Sequence, residues 1–226
     1  MISIIIPTLN EEKIIQSTLI LLKTKLTISH EIIVSDGGSE DQTTALAKTY
    51  ADSVLVYSGA TRQTIAHGRN EGARAARGDF LVFFDADCSI EDPDAFFTQA
   101  LRHFEEDKKL VGLTVSPRVL PEFETFTDRI MFRIMTWGLR LRNNVFHVGE
   151  AMGEFQMMRK ETFYAVNGFR EDLVTREDAD MFYRLSKIGK TMLDPNLTVF
   201  HTGRRAHTVG WPYLIVAWMI NTLSVL

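Results

Sequence analysis

The stretch Phe80-Leu81-Val82-Phe83-Phe84-Asp85-Ala86-Asp87-Cys88 sets the fold class of this chain. Five apolar residues in a row, bounded by Gly78-Asp79, predict a strand buried on both faces. The strand ends in two carboxylates. A side-chain period of two aims Asp85 and Asp87 the same way and Ala86 the other. Like charges so close together repel, which predicts a cation or a shifted pKa nearby. Hard oxygen ligands at the end of a parallel strand suit Mg²⁺ or Mn²⁺ carrying a phosphorylated ligand. A solvated strand-to-turn exit accounts for the same residues, so the Asp-x-Asp pair does not decide function alone.

Working outward, Ile2–Pro7 predicts a first buried strand, and Thr8-Leu9-Asn10-Glu11-Glu12 a helix start with Asn10 as N-cap. His30–Ser35 predicts a second strand, closed by Asp36-Gly37-Gly38, and Ser39-Glu40-Asp41-Gln42 has capping-box form. Ser53–Tyr57 is a third strand. The small-residue-rich run Arg62–Arg77 is helical, with Ala66, Asn70, Ala73 and Arg77 on one face. Asp94–Glu106 is a further helix after the Phe80 strand. This β-α alternation predicts an α/β fold with a mostly parallel, Rossmann-like central sheet and helices on both faces. Ligands of such sheets sit outside the carboxyl ends of the strands. Thr8–Glu11, Asp36–Ser39 and Asp85–Asp87 each fall at such an end, so three polar clusters converge on one rim. No Gly-x-Gly-x-x-Gly follows the first strand and no Gly-Lys-Ser/Thr loop occurs, so a bound nucleotide must be held by side chains and a metal.

The 226 residues suffice for one α/β domain, and a net charge of −4 gives no field for nucleic acid. The lone Cys88 excludes an internal disulfide framework and multi-cysteine zinc clusters, and predicts a reducing, cytoplasmic setting. The N-terminus lacks a basic region and breaks at Pro7, so it reads as a strand and not a signal peptide. From Trp211 to Leu226 no residue is charged. This run is shorter than the ~20 residues of a bilayer span, and three readings stand: a core helix, an interfacial helix, or the first part of a membrane span.

Seven segments, in order over about residues 2–200, carry a resemblance to a known family. They are Ile4-Ile5-Ile6-Pro7-Thr8-Leu9-Asn10-Glu11-Glu12, Val34-Ser35-Asp36-Gly37-Gly38-Ser39-x-Asp41-x-Thr43, Gly68-Arg69-Asn70-x-Gly72-Ala73-Arg74-x-Ala76-x-Gly78-Asp79, and Asp85-Ala86-Asp87. Gly153-x-x-x-x-x-Arg159-x-x-x-Phe163, Gly168-Phe169 and Glu177-Asp178-x-Asp180-x-x-x-Arg184-Leu185 complete the set. The chain resembles family 2 glycosyltransferases, which have the GT-A fold. The resemblance implies a nucleotide-sugar half (1–117) and an acceptor half (118–207), followed by the apolar C-terminal segment (208–226), for which membrane association is one of the readings above. It implies a UDP- or GDP-linked donor lying across Pro7, Thr8, Leu9 and Glu11, with Asp36 on the base and Val34 beside it. Arg69 and Asn70 would flank the nucleoside, and Asp85, Ala86 and Asp87 would meet the metal–diphosphate and ribose. The implied ion is Mg²⁺ or Mn²⁺ on Asp87 and Asp85, with His201 a weaker candidate ligand. Two readings stand for Arg204 and Arg205, as cationic clamps on the diphosphate or as residues facing lipid phosphates. Asp178 is implied as the general base of an inverting transfer; a helix-dipole role for the Glu177-Asp178 pair is the structural alternative.

The acceptor half is less constrained. Thr125–Arg142 predicts a basic amphipathic helix, with Ile130, Ile134, Trp137 and Leu141 as its apolar stripe. Two readings stand: a helix packed on the sheet with a solvated basic face, or one lying on an anionic membrane surface. With the apolar tail, the second points to a lipid-linked acceptor or a cell-surface glycan precursor, handled at the cytoplasmic face of the membrane. Gly149–Arg159 predicts an edge strand. Two rivals compete with glycosyl transfer. One is a haloacid-dehalogenase-type phosphohydrolase with Asp85 as nucleophile, and the other a non-catalytic nucleotide-sugar-binding domain. The first leaves Asp36, Pro7–Glu11 and Glu177-Asp178 without a role.

Overall fold

The computed structural model describes residues 1–173 and 175–224. In chain order the strands are β1 (Ile2–Thr8), β2 (His30–Asp36), β3 (Ser53–Val56), β4 (Phe80–Phe84), β5 (Cys88–Ser89), β6 (Leu110–Val119), β7 (Phe155–Arg159) and β8 (Lys190–His201). The helices are α1 (Ile15–Lys25), α2 (Thr43–Tyr50), α3 (Ile65–Ala75), α4 (Pro93–Glu106), α5 (Phe126–Arg140), α6 (Lys160–Ala165), α7 (Glu177–Leu185), α8 (Arg204–Val209) and α9 (Trp211–Ser224). A π-helical turn, Leu141–Val145, extends α5.

The strands form one sheet in the order β3-β2-β1-β4-β7-β6-β8-β5. Pairs β1/β2, β1/β4, β2/β3 and β6/β8 are parallel, whereas β7 runs antiparallel to both its neighbours and β5 to β8. The predicted parallel half is therefore present. The segment read as an edge strand lies instead in the middle of the sheet, where it joins the two halves. Its sequence, Phe155-Gln156-Met157-Met158, is apolar enough for that place, with Gln156 fully buried.

Strand alternation explains the two cores. Ile4, Ile6, Val34, Val82 and Phe84 face α1, α2 and α4 on one side. Ile5, Ile33, Leu81 and Phe83 face α3, α6 and α7 on the other. Both faces of the strands are thus covered, and each buried Ile or Phe contributes about 1.5–3 kcal/mol. The small residues of α3 let it lie close: a Cβ on Gly72 would come within 2.3 Å of Ile5 Cγ2.

Two helix starts differ from expectation. Asn10 does not cap α1; it sits at a left-handed φ of 56° and clips the next loop, donating from N–H to Ser39 Oγ and accepting from Glu40 N–H. α1 begins at Ile15, over carbonyl acceptance by Glu11. Ser39 likewise caps nothing, because its hydroxyl donates to Asp36 and α2 begins at Thr43.

A third cluster joins Val119 and Phe132 of β6 and α5 to Ala206, Trp211 and Leu214 of α8 and α9. The apolar tail thus starts packed on the domain, while Tyr213 and Val216 stay exposed. Among the described residues no helix is long and apolar enough to cross a membrane.

Candidate active site

Strand direction places the site. β1, β2, β4, β6 and β8 all run the same way, so Thr8, Asp36, Asp85, Val119 and His201 end at one rim. The predicted strand-end clusters do meet there.

Asp85 and Asp87 are both partly accessible and Ala86 is buried, although the backbone here is a turn and not a continued strand. Cys88 N–H donates to the Asp85 carbonyl, closing a four-residue turn. Asp85 accepts from Arg69 Nη2 at 3.2 Å, whereas Asp87 accepts from Thr202 Oγ1 at 2.7 Å. Ala86 is buried and its carbonyl accepts from Thr18 Oγ1. The turn is held from three sides.

Arg69 is the hub. Its guanidinium, sealed from solvent, donates through Nη1 to Asp178 Oδ1 and to Glu177 Oε1 at 3.2 Å. Nη2 donates to Asp85 and to the Gly153 carbonyl, each at 3.2 Å, and the ring of Phe169 lies beneath with its centroid 5.3 Å from Cζ. Expected beside the nucleoside, Arg69 instead binds the ends of β4 and α7 together. Gln156 Nε2 also donates to Asp178 Oδ1. Asp178 Oδ2 carries no hydrogen bond among the described residues and faces Gly153, where an added Cβ would stand 3.1 Å from it. Glycine there keeps space over the cluster.

One guanidinium stands against five carboxylates: Asp85, Asp87, Glu154, Glu177 and Asp178. The imbalance shows in the protonation of three of them, Asp85, Glu177 and Glu154. Burial pushes the Asp85 carboxyl up to about 6, with Asp178 and Asp87 adding to the rise and Arg69 opposing it, although a third of its side chain still faces the cleft. Burial and Asp178 raise Glu177 to about 7. Burial, then Asp85, raises Glu154 to about 8, and its Oε2 is buried without a hydrogen-bond partner. Such a set of hard oxygens in excess of positive charge fits a divalent cation such as Mg²⁺ or Mn²⁺. Among the described residues the histidine and carboxylate side chains are not drawn into a ready-made cage, so a bound phosphate would complete the coordination.

His201 does not present itself as a ligand. Its Nδ1 accepts from Gly203 N–H at 3.1 Å, which leaves the proton on Nε2, buried and unpartnered. Burial also lowers its pKa, so the ring is neutral. Coordination would require Gly203 to let go of Nδ1 or Nε2 to lose its proton.

The other expected donor residues divide. Pro7, Leu9 and Glu11 lie at the rim with partly accessible side chains. Glu11 takes a two-pronged ion pair from Arg204, at 2.8 and 3.1 Å, so the segment after β8 reaches across to β1. Arg205 is exposed without a partner among the described residues. Asp36 is fully buried, and both its oxygens are filled: Thr8 Oγ1 and Ser39 Oγ on Oδ1, Gly38 and Ser39 N–H on Oδ2. A base edge would have to displace one of these turn bonds. Val34 is fully buried in the core and cannot touch a ligand as placed. The Asn70 amide is spent on the loop after Gly168, bonding Phe169 N–H, Phe169 O and Glu171. Both residues shape the rim from behind.

Sequence reasoning missed Glu154 and Gln156, which stood in a stretch read as an edge strand. The signal was available: two polar residues in an otherwise apolar run, immediately after Gly153.

Comparison with known proteins places the chain. The profile of Glycosyl transferase family 2 matches residues 3–166. The succinoglycan biosynthesis protein ExoA of Rhizobium meliloti (strain 1021) is 28% identical over 223 residues, covering 93% of this chain and 66% of that protein. The O-antigen chain rhamnosyltransferase WbaN of Salmonella anatum is 27% identical over 170 residues, covering 70% and 52%. The chain thus spans about two thirds or less of these relatives. Among solved structures, a mannosyltransferase from Pyrobaculum calidifontis in complex with GDP-Man and Mn²⁺ superposes with a TM-score of 0.70 at 19% identity, covering 89% of this chain and 56% of that one. Glucosyl-3-phosphoglycerate synthase from Mycobacterium tuberculosis, with Mn²⁺, UDP and glucosyl-3-phosphoglycerate, gives 0.60 at 20% identity, covering 88% and 71%. Those likenesses establish the fold as GT-A. With a family profile running from β1 into the turn after α6, the chain belongs to glycosyl transferase family 2.

Proposed function

We propose that this chain transfers a sugar, with inversion, from a nucleotide-diphosphate donor to a lipid-linked acceptor or another cell-surface glycan precursor. The observation that carries the reading is the cluster of five carboxylates about one buried arginine at the carboxyl rim of the sheet. Residues 1–117 hold the donor in this reading and 118–207 the acceptor. The donor lies across Pro7, Thr8, Leu9 and Glu11, and its base reaches Asp36 by replacing a Ser39 bond. Asp85 and Asp87 would hold Mg²⁺ or Mn²⁺, and the ion would supply positive charge against the leaving diphosphate.

Asp178 takes the acceptor proton. Arg69 and Gln156 fix Oδ1, so the second oxygen, over Gly153, is the one left to accept. Arg205, free and basic, meets the diphosphate from the segment after β8, and Arg204 does so if it leaves Glu11. Relatives named for polysaccharide assembly support a surface-glycan acceptor, with the reaction at the cytoplasmic face of a membrane.

A thermal-shift panel of UDP-, GDP- and dTDP-sugars, with Mn²⁺ and with a chelator, tests the donor. Stabilisation by one nucleotide class only when Mn²⁺ is present is expected; a covalent aspartyl-phosphate at Asp85 would instead assign a phosphohydrolase. Asp178→Asn should lower transfer at least about a thousandfold while retaining donor binding. Near-normal turnover in that variant removes Asp178 from the mechanism.

A further inference from the structure

Helix α5 is apolar on two opposite sides. At about 100° per residue, Asp128, Phe132, Met135 and Leu139 fall on one side, and all are buried or partly so. Phe126, Ile130, Ile134 and Trp137 fall on the far side and are 75%, 40%, 58% and 64% exposed. The stripe Ile130–Ile134–Trp137 therefore does not pack on the sheet as an ordinary core face would; the core is made by the other side. Beside the exposed arc, roughly 55–95° from its centre on the same wheel, stand Arg129, Arg133 and Arg140. Arg129 shares Glu124 with Arg118, but Arg133 and Arg140 are exposed with no carboxylate partner among the described residues. These four arginines and Glu124 line a cleft where α5 meets β6 and β8. Positive charge is thus concentrated on this face of a chain whose net charge is −4.

We propose that the outer face of α5 docks on an anionic lipid bilayer, with Phe126, Ile130, Ile134 and Trp137 entering the headgroup boundary and Arg133 and Arg140 meeting lipid phosphates. An apolar arc edged on one side by unpaired arginines matches a surface that offers hydrocarbon and anionic oxygen a few ångströms apart. A second copy of the chain, related by a twofold, would bring the same arginines against one another. The exposed Phe123 and Phe146, just before and just after the helix, extend the apolar surface. The face is also rigidly related to the rim. Asp128 in the first turn of α5 accepts from His207 and Trp211, and the segment carrying them leaves β8 beside Thr202, the partner of Asp87. The face lies outside the carboxylate cluster, so the inference stands apart from the transfer reading.

The test is vesicle flotation of the full chain with phosphatidylcholine alone and with phosphatidylcholine plus phosphatidylglycerol. Flotation with the anionic vesicles, weakened by high salt, is expected. The pair Arg133→Glu/Arg140→Glu and the pair Ile134→Ser/Trp137→Ser should each lower partitioning about tenfold or more. All four side chains are exposed, so circular dichroism and melting temperature should be unchanged. No flotation with any vesicle, or flotation indifferent to both pairs, overturns the proposal. So does a dimer in sedimentation equilibrium that Ile134→Ser/Trp137→Ser dissolves, which would give the face to a second copy.

Discussion

Replacing Arg69 by Met probes the hub while keeping most of its volume. The side chain is sealed from solvent and contacts Asp85, Glu177 and Asp178. Removing one partner of a buried ion pair costs about 3–5 kcal/mol, because the other charge is left without compensation. Here three carboxylates lose the same cation, and Asp85 and Glu177 escape by taking up protons. Arg69 is what opposes the rise in Asp85 and Glu177, which stand at about 6 and about 7 with it in place. Without it both move further up. A carboxyl whose folded pKa lies above its unfolded value costs stability as pH rises through that interval. The loss in Arg69→Met should therefore be full at pH 8 and clearly smaller at pH 6. For a chain of this size about 3–5 kcal/mol corresponds to a melting point lower by about 6–20 °C. Thermal unfolding by circular dichroism at both pH values reads it, and Mn²⁺ should restore part of the loss at pH 8 by supplying charge to the same oxygens. A shift below about 2 °C, or one equal at both pH values, would refute the account of Arg69 as the counter-charge of the cluster.

Without added metal, the parent protein should lose stability as pH rises from about 5 to 8, since Asp85, Glu177 and Glu154 all hold protons more tightly folded than unfolded. Its stabilisation by Mn²⁺ should correspondingly be larger at pH 8 than at 6, as paired melting curves with Mn²⁺ and with chelator will show. Asp128→Ala should cost about 3 kcal/mol and expose α8 and α9 to limited proteolysis, because Asp128 accepts from Thr125 twice, His207 and Trp211. These bonds hold its carboxyl down at about 2 against the pull of burial. The parent should therefore lose that contribution only as acid titration passes from about 4 to 2, and the variant should show no such step. Gly149→Ala should lower the yield of folded protein, since its Cβ would lie 1.8 Å from the Phe182 carbonyl oxygen. Overpacking against backbone costs about 1–3 kcal/mol or more, and normal melting would mean that α7 sits further off.

What the residues alone determined was the strand-end rim. Runs such as Ile2–Ile6 and Phe80–Phe84 have one stable environment, a sheet covered on both faces, and chain chemistry forces polar residues to follow them. The parallel half and the convergence of Thr8, Asp36 and Asp85 were legible from local pattern, whereas Asp178 drew notice only through the family resemblance. The tertiary structure decided how charge is distributed among them. Arg69 and Asp178 are 109 residues apart, and no local rule predicts that a helix arginine turns inward to meet both Asp85 and Asp178. Asp87 is anchored by Thr202 from far along the chain, and Asp36 proved to have its lone pairs already filled by its own turn. The fate of the α5 stripe was likewise beyond the sequence. Hydrophobic periodicity reveals that a helix has an apolar side, but only the packing of Phe132 and Leu139 shows that Ile130, Ile134 and Trp137 are the side left over. Periodicity is a property of a segment, whereas burial and charge balance belong to whatever the fold brings against it.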